Sequence, residues 1–356
     1  MLSPSRLQEL LSGRRRGLLP ALARAVLRFA EIPYAAAIRY RNYRYDTGAA
    51  RIQRIAACVV SVGNLTLGGT GKTPMVEWLA EHFRGCGVGV AVLSRGYGSE
   101  GGRPNDEALE LKEKLPEVAH LQSADRVGAA RRALIQTGCR VILLDDAFQH
   151  RRIARDLDIV LLDALEPFGF GHLFPRGWLR EPIEGLRRAD VVVLTRADLV
   201  CASRREQIRA QAGKYAPKAI WAEAIHAPQT LRNSTGCQMS IDSLKGKPVA
   251  AFAGLGNPAG FRGTLANCGY RVVEFREFAD HHRYCRQDIE TLAGWAEDLK
   301  VEAAVCTQKD LVKLGVQRLG SVPLWALTVR LEFMAGEEAV RAKLRAILAG
   351  EGTADS

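Results

Sequence analysis

The run Val62-Gly63-Asn64-Leu65-Thr66-Leu67-Gly68-Gly69-Thr70-Gly71-Lys72-Thr73 carries the strongest chemical signal in the chain. It follows a strand-like apolar stretch and opens a helical pattern, the context in which a glycine-rich loop wraps phosphates. Glycines let backbone N–H groups converge on an anion, and a helix N-terminus adds its partial positive charge. On this reading Thr66, Leu67, Gly68, Gly69, Thr70, Gly71, Lys72 and Thr73 bind a nucleotide. Lys72 bridges the β- and γ-phosphates, and the Thr73 hydroxyl ligates Mg²⁺. The run departs from G-x-x-x-x-G-K-[ST] at its first position, where Thr66 replaces glycine, while Gly68 and Gly69 keep the backbone flexible. The bland alternative is a glycine-rich turn that only caps a helix.

A phosphate loop needs an acid at the end of a neighbouring apolar strand, and Val141-Ile142-Leu143-Leu144-Asp145-Asp146 offers one. Asp145 is the natural Mg²⁺ ligand, direct or through water, with Asp146 as a second carboxylate beside it. Thr195-Arg196-Ala197-Asp198 lacks the Asn and Lys of a guanine-reading motif and reads as an ordinary loop, so ATP is favoured over GTP.

These groups must be positioned by a sheet. Short, continuous, β-branched runs are expected as strands at 57–62, 88–93, 141–144, 158–162, 191–194, 249–252, 271–275, 303–306 and 324–329. Continuous rather than alternating apolar runs suit strands covered on both faces. Amphipathic helices are expected at 75–83 and 125–136, the latter ended by Gly138, and another around Ile289, Leu292, Ala296 and Leu299. The alternation predicts an α/β fold: a P-loop NTPase-like, largely parallel sheet flanked by helices, with right-handed crossovers. An N-terminal amphipathic helix and a second, smaller α/β domain complete it. The expected divisions are a basic arm at 1–55, a P-loop kinase domain at 56–230, a linker at 231–247, a smaller domain at 248–335, and a C-terminal helix and tail at 336–356.

The chain has 356 residues and a net charge of +11, but the charge is uneven. Residues 1–55 hold eleven Arg, no Lys and three acids (Glu9, Glu31, Asp46), a net +8. The remainder is nearly balanced, which argues against a uniformly basic nucleic-acid binder. The eight cysteines are scattered singly with no C-x-x-C pair, which favours a reducing compartment over a zinc site or disulfide framework. No cleavable signal pattern and no membrane span are expected. The most apolar early segment, 18–38, is interrupted by Arg24, Arg28 and Glu31, one stripe at i, i+4 and i+7. Two readings of this helix stand: one lies in a membrane interface beside Arg14-Arg15-Arg16, the other packs on the body with a solvated edge.

Three runs in this order resemble the tetraacyldisaccharide 4'-kinase family: Ser61 through Pro74, Leu93-Ser94-Arg95-Gly96-Tyr97-Gly98, and Leu144-Asp145-Asp146-Ala147-Phe148-Gln149-His150. Four later runs are similar too: Pro175 through Glu181, Gly254-Leu255-Gly256-Asn257-Pro258, Ala279-Asp280-His281-His282, and Thr307-Gln308-Lys309-Asp310. The resemblance spans about residues 18–328. It implies peripheral inner-membrane enzymes, acting at the cytoplasmic face, that transfer the γ-phosphate of ATP to the 4'-hydroxyl of a tetraacylated glucosamine disaccharide 1-phosphate. It implies ATP and Mg²⁺ as cofactors, an acylated disaccharide 1-phosphate as substrate, a membrane surface met through the N-terminal arm, no nucleic acid and no obligate protein partner.

By the same resemblance Asp106 is the general base on the sugar hydroxyl, His281 orients it across a domain cleft, and Lys72 is catalytic. Asp145, Asp146 and Glu181 surround Mg²⁺ with Thr73. Arg95, Glu107 and Arg180 contact substrate or phosphate. The family's Gly-Asp-Glu stands here as Asn105-Asp106-Glu107, so either acid is open as the base, and Gln308 replaces a common Glu. His150 reads as structural. The competing classes are a soluble P-loop small-molecule kinase and an NTP-dependent switch.

Overall fold

The computed structural model describes residues 4–96, 106–280 and 282–350; for residues 4–6 and 106–108 only the backbone is described. Two compact units are formed, Gln8–Ile225 with Glu332–Ser356, and Met1–Leu7 with His226–Leu331.

In chain order, α1 (Pro4–Leu11) and α2 (Leu18–Asp46) precede β1 (Cys58–Asn64), α3 (Lys72–Gly85), β2 (Val90–Ser94), α4 (Asp106–Lys114) and β3 (Ala119–Gln122). Then come α5 (Arg126–Thr137), β4 (Val141–Asp145), β5 (Leu157–Asp163), β6 (Val191–Thr195), α6 (Ala202–Gly213) and β7 (Ile220–Arg232). In the larger unit the strands lie in the order β6-β5-β1-β4-β2-β3, all parallel. The start of β7 pairs in parallel with β6 from Ile220 to Glu223. The acid-bearing β4 is therefore the immediate neighbour of the phosphate-loop strand β1, with Val62 opposite Asp145.

Strands β2, β4, β5 and β6 are buried at every position, as their continuous apolar runs require. One core cluster joins Val59, Ala91, Leu93, Ile142 and Leu144 to Val127, Ala130 and Ala133 of α5. A second joins Leu65, Phe148, Val160, Leu162, Val192 and Leu194 to Ile208 and Ala212 of α6 and to Ala35 of α2.

Helix α2 is turned opposite to an ordinary amphipathic surface helix. Its polar edge is engaged by the protein: Arg24 Nη1 donates to Arg15 O at 3.0 Å, and Glu31 accepts from Leu173 N at 2.7 Å and pairs with His172 Nδ1 at 3.2 Å. While Tyr34 and Ala35 pack on the body, a second apolar set faces outward, with Leu18 91 %, Phe29 74 % and Tyr40 65 % exposed, and Leu22, Val26, Ile32 and Tyr43 also exposed. The edge expected to be solvated at Arg24 and Glu31 is thus bonded instead. No helix among the described residues is long and apolar enough to cross a membrane.

In the smaller unit the chain continues through β8 (Gln238–Ser240), β9 (Pro248–Ala253), α7 (Pro258–Asn267), β10 (Arg271–Glu277), α8 (Arg286–Asp298), β11 (Ala303–Thr307) and α9 (Gln308–Leu314). It ends with β12 (Arg318–Leu319) and β13 (Val322–Ala335), after which α10 (Glu337–Leu348) follows. The parallel order is β10-β9-β11-β13, with β12 antiparallel to β13 and β8 antiparallel to the end of β7. The polar stretch 228–247 is ordered as the end of β7, β8 and a helical turn at Ile241–Leu244. Two motif runs have local structural uses here. Asn257 caps α7 by accepting from Gly260 N at 3.1 Å. The buried Asp310 carboxylate accepts from Thr307 Oγ1 (2.6 Å), Tyr284 Oη (3.0 Å) and Gly254 N (3.2 Å).

Candidate active site

The C-terminal ends of β1, β2, β4, β5 and β6 gather the functional groups, the edge where ligands bind in open parallel sheets. The loop after β1 opens with Thr66 in an antiparallel bridge to Leu179, an extended conformation that a β-branched residue adopts readily. This explains why threonine replaces glycine there. Leu67 N donates to Trp178 O and Arg180 N to Leu65 O, both at 2.7 Å, so the segment carrying Arg180 is stitched to the loop's entrance. Gly68 and Gly71 take positive φ (102° and 89°), and Gly71 leads directly into α3 at Lys72. A left-handed residue at that point suits glycine and turns the chain so that the helix N-terminus faces the loop.

Two residues read from sequence as an ordinary loop prove to hold this loop from behind. Thr195 Oγ1 donates to Thr70 O at 2.9 Å, and Arg196 Nη2 to Gly69 O at 2.9 Å. Arg196, itself left-handed, is ion-paired with Asp163 at the end of β5. These bonds fix the carbonyls of Gly69 and Thr70 toward the sheet, and Leu67 N is already committed to Trp178 O, so the N–H groups from Gly68 onward are the ones an anion would meet.

Asp145 ends β4 almost wholly buried, and Asp146 follows with φ 48°. Asp146 Oδ1 lies 2.6 Å from Arg180 Nη1 and 3.6 Å from Lys72 Nζ. Burial opposes ionisation of Asp146, yet Lys72, Arg180 and Arg126 hold its carboxyl well below the usual carboxylate range. The acid turn is pinned by two arginines outside any motif. Arg126 Nη2 donates to the carbonyls of Asp145 (2.8 Å) and Asp146 (3.1 Å), and Arg155 Nη2 to those of Ala147 (2.7 Å) and His150 (2.5 Å). Opposite them, Gly63 admits the turn: a Cβ there would stand 2.6 Å from Phe148.

Glu181 is fully buried and its carboxylate is shared. Arg188 Nη2 reaches both oxygens at 2.9 Å, Gln149 Nε2 donates at 3.0 Å, and Asn42 Nδ2 at 3.2 Å. Gln149 also donates to Asn64 O at 2.8 Å, which links Glu181 to the exit of β1. Tyr34 Oη donates to Arg180 O at 2.9 Å, so α2 braces the same segment. Arg95 is exposed at the end of β2.

Asp106 and Glu107 open α4, and their side chains lie outside the described residues, as does His281. The neighbouring His282 pairs through Nε2 with Asp288 at 3.0 Å.

His150 closes the acid turn. Burial first, then the charges of Arg126, Arg155, Arg152 and Arg95, push its imidazole down to about 4. The folded chain therefore holds this ring neutral where the unfolded chain protonates it, so its contribution to stability is lost as pH falls from about 6.5 toward 4. Urea midpoints measured across that window are expected to drop for the native chain and to change less for His150→Gln. Parallel curves for the two proteins would contradict the assignment.

For Mg²⁺ the donors fit in kind. Thr73 and the two aspartates offer hard oxygens, and Mg²⁺ in phosphate sites takes one or two carboxylates plus phosphate and water. The described residues contain no group of three or more His, Cys, Asp or Glu side chains placed to hold a metal, so Glu181, expected beside Asp145 and Asp146 at Mg²⁺, is not brought together with them and is instead buried against Arg188.

Comparison with known proteins points the same way. Residues 23–349 match the family model described as LpxK, tetraacyldisaccharide-1-P 4'-kinase. The chain is 40% identical over 354 residues to the tetraacyldisaccharide 4'-kinase of Anaeromyxobacter sp. (strain K), covering 94% of this chain and 93% of the relative. It is 38% identical to that of Desulfatibacillum aliphaticivorans, with 88% and 89% covered. The crystal structure of "apo" form LpxK from Aquifex aeolicus in complex with ATP superposes with a TM-score of 0.70 at 31% identity, covering 91% of this chain and 99% of that one. With a matched family model over most of its length and relatives at this identity, the chain belongs to the tetraacyldisaccharide 4'-kinase family.

Proposed function

We propose that this chain transfers the γ-phosphate of ATP to the 4'-hydroxyl of a tetraacylated glucosamine disaccharide 1-phosphate, a step of lipid A biosynthesis. One observation carries the reading: a phosphate loop and a cation-bracketed acid turn share one sheet edge in a chain that matches kinases of this name along nearly its full length.

Phosphoryl transfer asks the protein mainly for positioning and for charge opposite the transferring group. The loop N–H groups and the start of α3 cradle the phosphates. Lys72 and Arg180, both beside Asp146 Oδ1, place two cations where the transition state gathers negative charge. Thr73, Asp145 and Asp146 are the groups that would hold Mg²⁺, directly or through water, and the ion would supply charge to offset that of the phosphates. Glu181 serves this set by fixing the turn through Gln149. Asp106 takes the proton of the 4'-hydroxyl, with Glu107 as the neighbouring candidate, and His281 orients the carboxylate. Arg95 and Arg180 contact phosphate. ADP formation is expected to rise by orders of magnitude when the tetraacyl disaccharide 1-phosphate is added. Slow hydrolysis indifferent to the glycolipid would instead mark an NTP-dependent switch.

We also infer that the outward apolar face of α2 docks on the cytoplasmic face of the inner membrane, which makes the protein peripheral. Support comes from the inverted polarity of the helix, with Leu22, Val26 and Phe29 exposed while Glu31 is bonded inward. Arg14-Arg15-Arg16 adds attraction to anionic lipid. The double substitution Val26→Asp, Phe29→Asp is expected to abolish binding to anionic vesicles. It should raise KM for the lipid and leave KM for ATP and thermal stability unchanged, because both positions are exposed. Undiminished vesicle binding would refute the docking face.

A further inference from the structure

Helices α3 and α4 meet through three ionisable side chains that no motif accounts for. Lys114 Nζ lies 2.8 Å and 3.1 Å from the two carboxylate oxygens of Glu77 on α3, and 3.1 Å from Glu110 Oε1 one turn earlier on α4. All three are largely shielded from water, with side chains only 17%, 10% and 9% exposed for Lys114, Glu77 and Glu110. Glu81, on the same helix as Glu77, adds a further negative charge nearby.

Such a cluster is poorly explained as a source of stability. Ion pairs taken out of water roughly break even against well-packed apolar side chains, and their better-attested use is to fix one geometry over others. The relevant geometry is the placement of α4 against α3. Helix α3 begins at Lys72 and Thr73, and Glu77 lies five residues on, about 7.5 Å along the axis. Helix α4 begins at Asp106, and Glu110 lies one turn on, about 6 Å along the axis. By helical position Asp106, Glu110 and Lys114 share a single i, i+4, i+8 row. Helix α4 has nine residues, four of them acids (Asp106, Glu107, Glu110 and Glu113), in a sequence too short and polar to hold itself. An ammonium gripping a carboxylate on each helix fixes both the rotation and the axial register of α4, which apolar contact alone leaves looser.

We propose that Lys114, Glu77 and Glu110 form a positioning clamp that sets the start of α4, and with it Asp106, relative to the phosphate-loop helix. The clamp rests on the reading of Asp106 as the base. It makes no contact with substrate, and its effect is to hold the proton acceptor in register with the phosphates cradled by α3.

The test compares Lys114→Met, Lys114→Arg, Asp106→Asn and the Asp106→Asn, Lys114→Met double variant in the full chain with ATP and the tetraacyl disaccharide 1-phosphate. Lys114→Met is expected to lower kcat about 10- to 100-fold, the scale of a small misplacement of a reacting group, with KM for ATP held within about twofold. Lys114→Arg should recover most of the loss. In the double variant the losses should not multiply, because a clamp that acts through Asp106 has nothing left to position. Amide exchange along α4 should quicken in Lys114→Met while α3 stays protected. A chain with Glu77→Leu, Glu110→Leu and Lys114→Met leaves no buried charge unpaired, so it separates misfolding from misplacement, and it too should lose kcat at unchanged KM for ATP. Unchanged kcat in Lys114→Met, or multiplying losses in the double variant, would overturn the clamp while leaving the base intact. Full turnover by Asp106→Asn would overturn the base reading, and the clamp's stated purpose with it.

Discussion

Replacing Asp106 by alanine is expected to lower turnover by about 10²–10⁴-fold, the usual contribution of a positioned general base. ATP affinity should be largely kept, because the groups that cradle phosphates lie on the loop after β1 and at the start of α3. The split matters more than the size of the loss. A base acts only when the hydroxyl proton moves, so its removal lowers kcat and kcat/KM together without weakening nucleotide binding. Single-turnover rates and equilibrium titration with ATP measure the two effects separately. A variant with native turnover would move the role to Glu107, the adjacent acid at the start of α4.

The second large effect is expected at Lys72. Lys72→Ala should slow phosphoryl transfer by about 10²–10³-fold or more, equivalent to roughly 3–4 kcal/mol of lost transition-state stabilisation. Here nucleotide affinity should fall as well, since the ammonium faces ground-state phosphates too. The same substitution takes one of the cations from Asp146, which keeps Arg180 at 2.6 Å and Arg126 beneath the turn. With Lys72 gone, the Asp146 carboxyl should titrate at higher pH than in the native chain, although the remaining arginines keep it ionised at neutral pH. Carboxylate titration by NMR of both proteins checks the direction. Lys72→Arg is expected to rescue poorly, because a planar guanidinium does not reproduce a compact ammonium.

How much of this could be read from sequence depends on whether a residue's partners lie nearby in the chain. Strands β4 and β6 are legible because each is a continuous apolar run, β1 and β5 because theirs are broken only by single polar residues, and in β4 Leu144 leads directly into Asp145. The phosphate loop was legible because spacing alone encodes it. Strand β7 was not, since its burial is mixed along Ile220–Arg232 and its pattern fits neither a fully buried strand nor a clean alternation. Thr195 and Arg196 read as an ordinary loop in the sequence because their partners are carbonyls 125 and 127 residues away. Arg126 and Arg155 escaped notice for a similar reason: a buried guanidinium that serves backbone oxygens leaves no motif. In α2 the apolar and charged stripes were plain, but periodicity cannot tell which stripe the protein keeps for itself. The inward bonding of Glu31 and Arg24 supplies that answer.

Where the transferred phosphate goes is read from the structure of the product. The full chain, ATP, Mg²⁺ and the tetraacyl disaccharide 1-phosphate are incubated together, and the recovered glycolipid is examined by phosphorus NMR. A kinase acting on this hydroxyl yields a second phosphate monoester on the 4'-oxygen of the lipid, formed in equal amount to ADP. ADP accompanied by free inorganic phosphate and unmodified lipid, or an ester at any other oxygen, would contradict it.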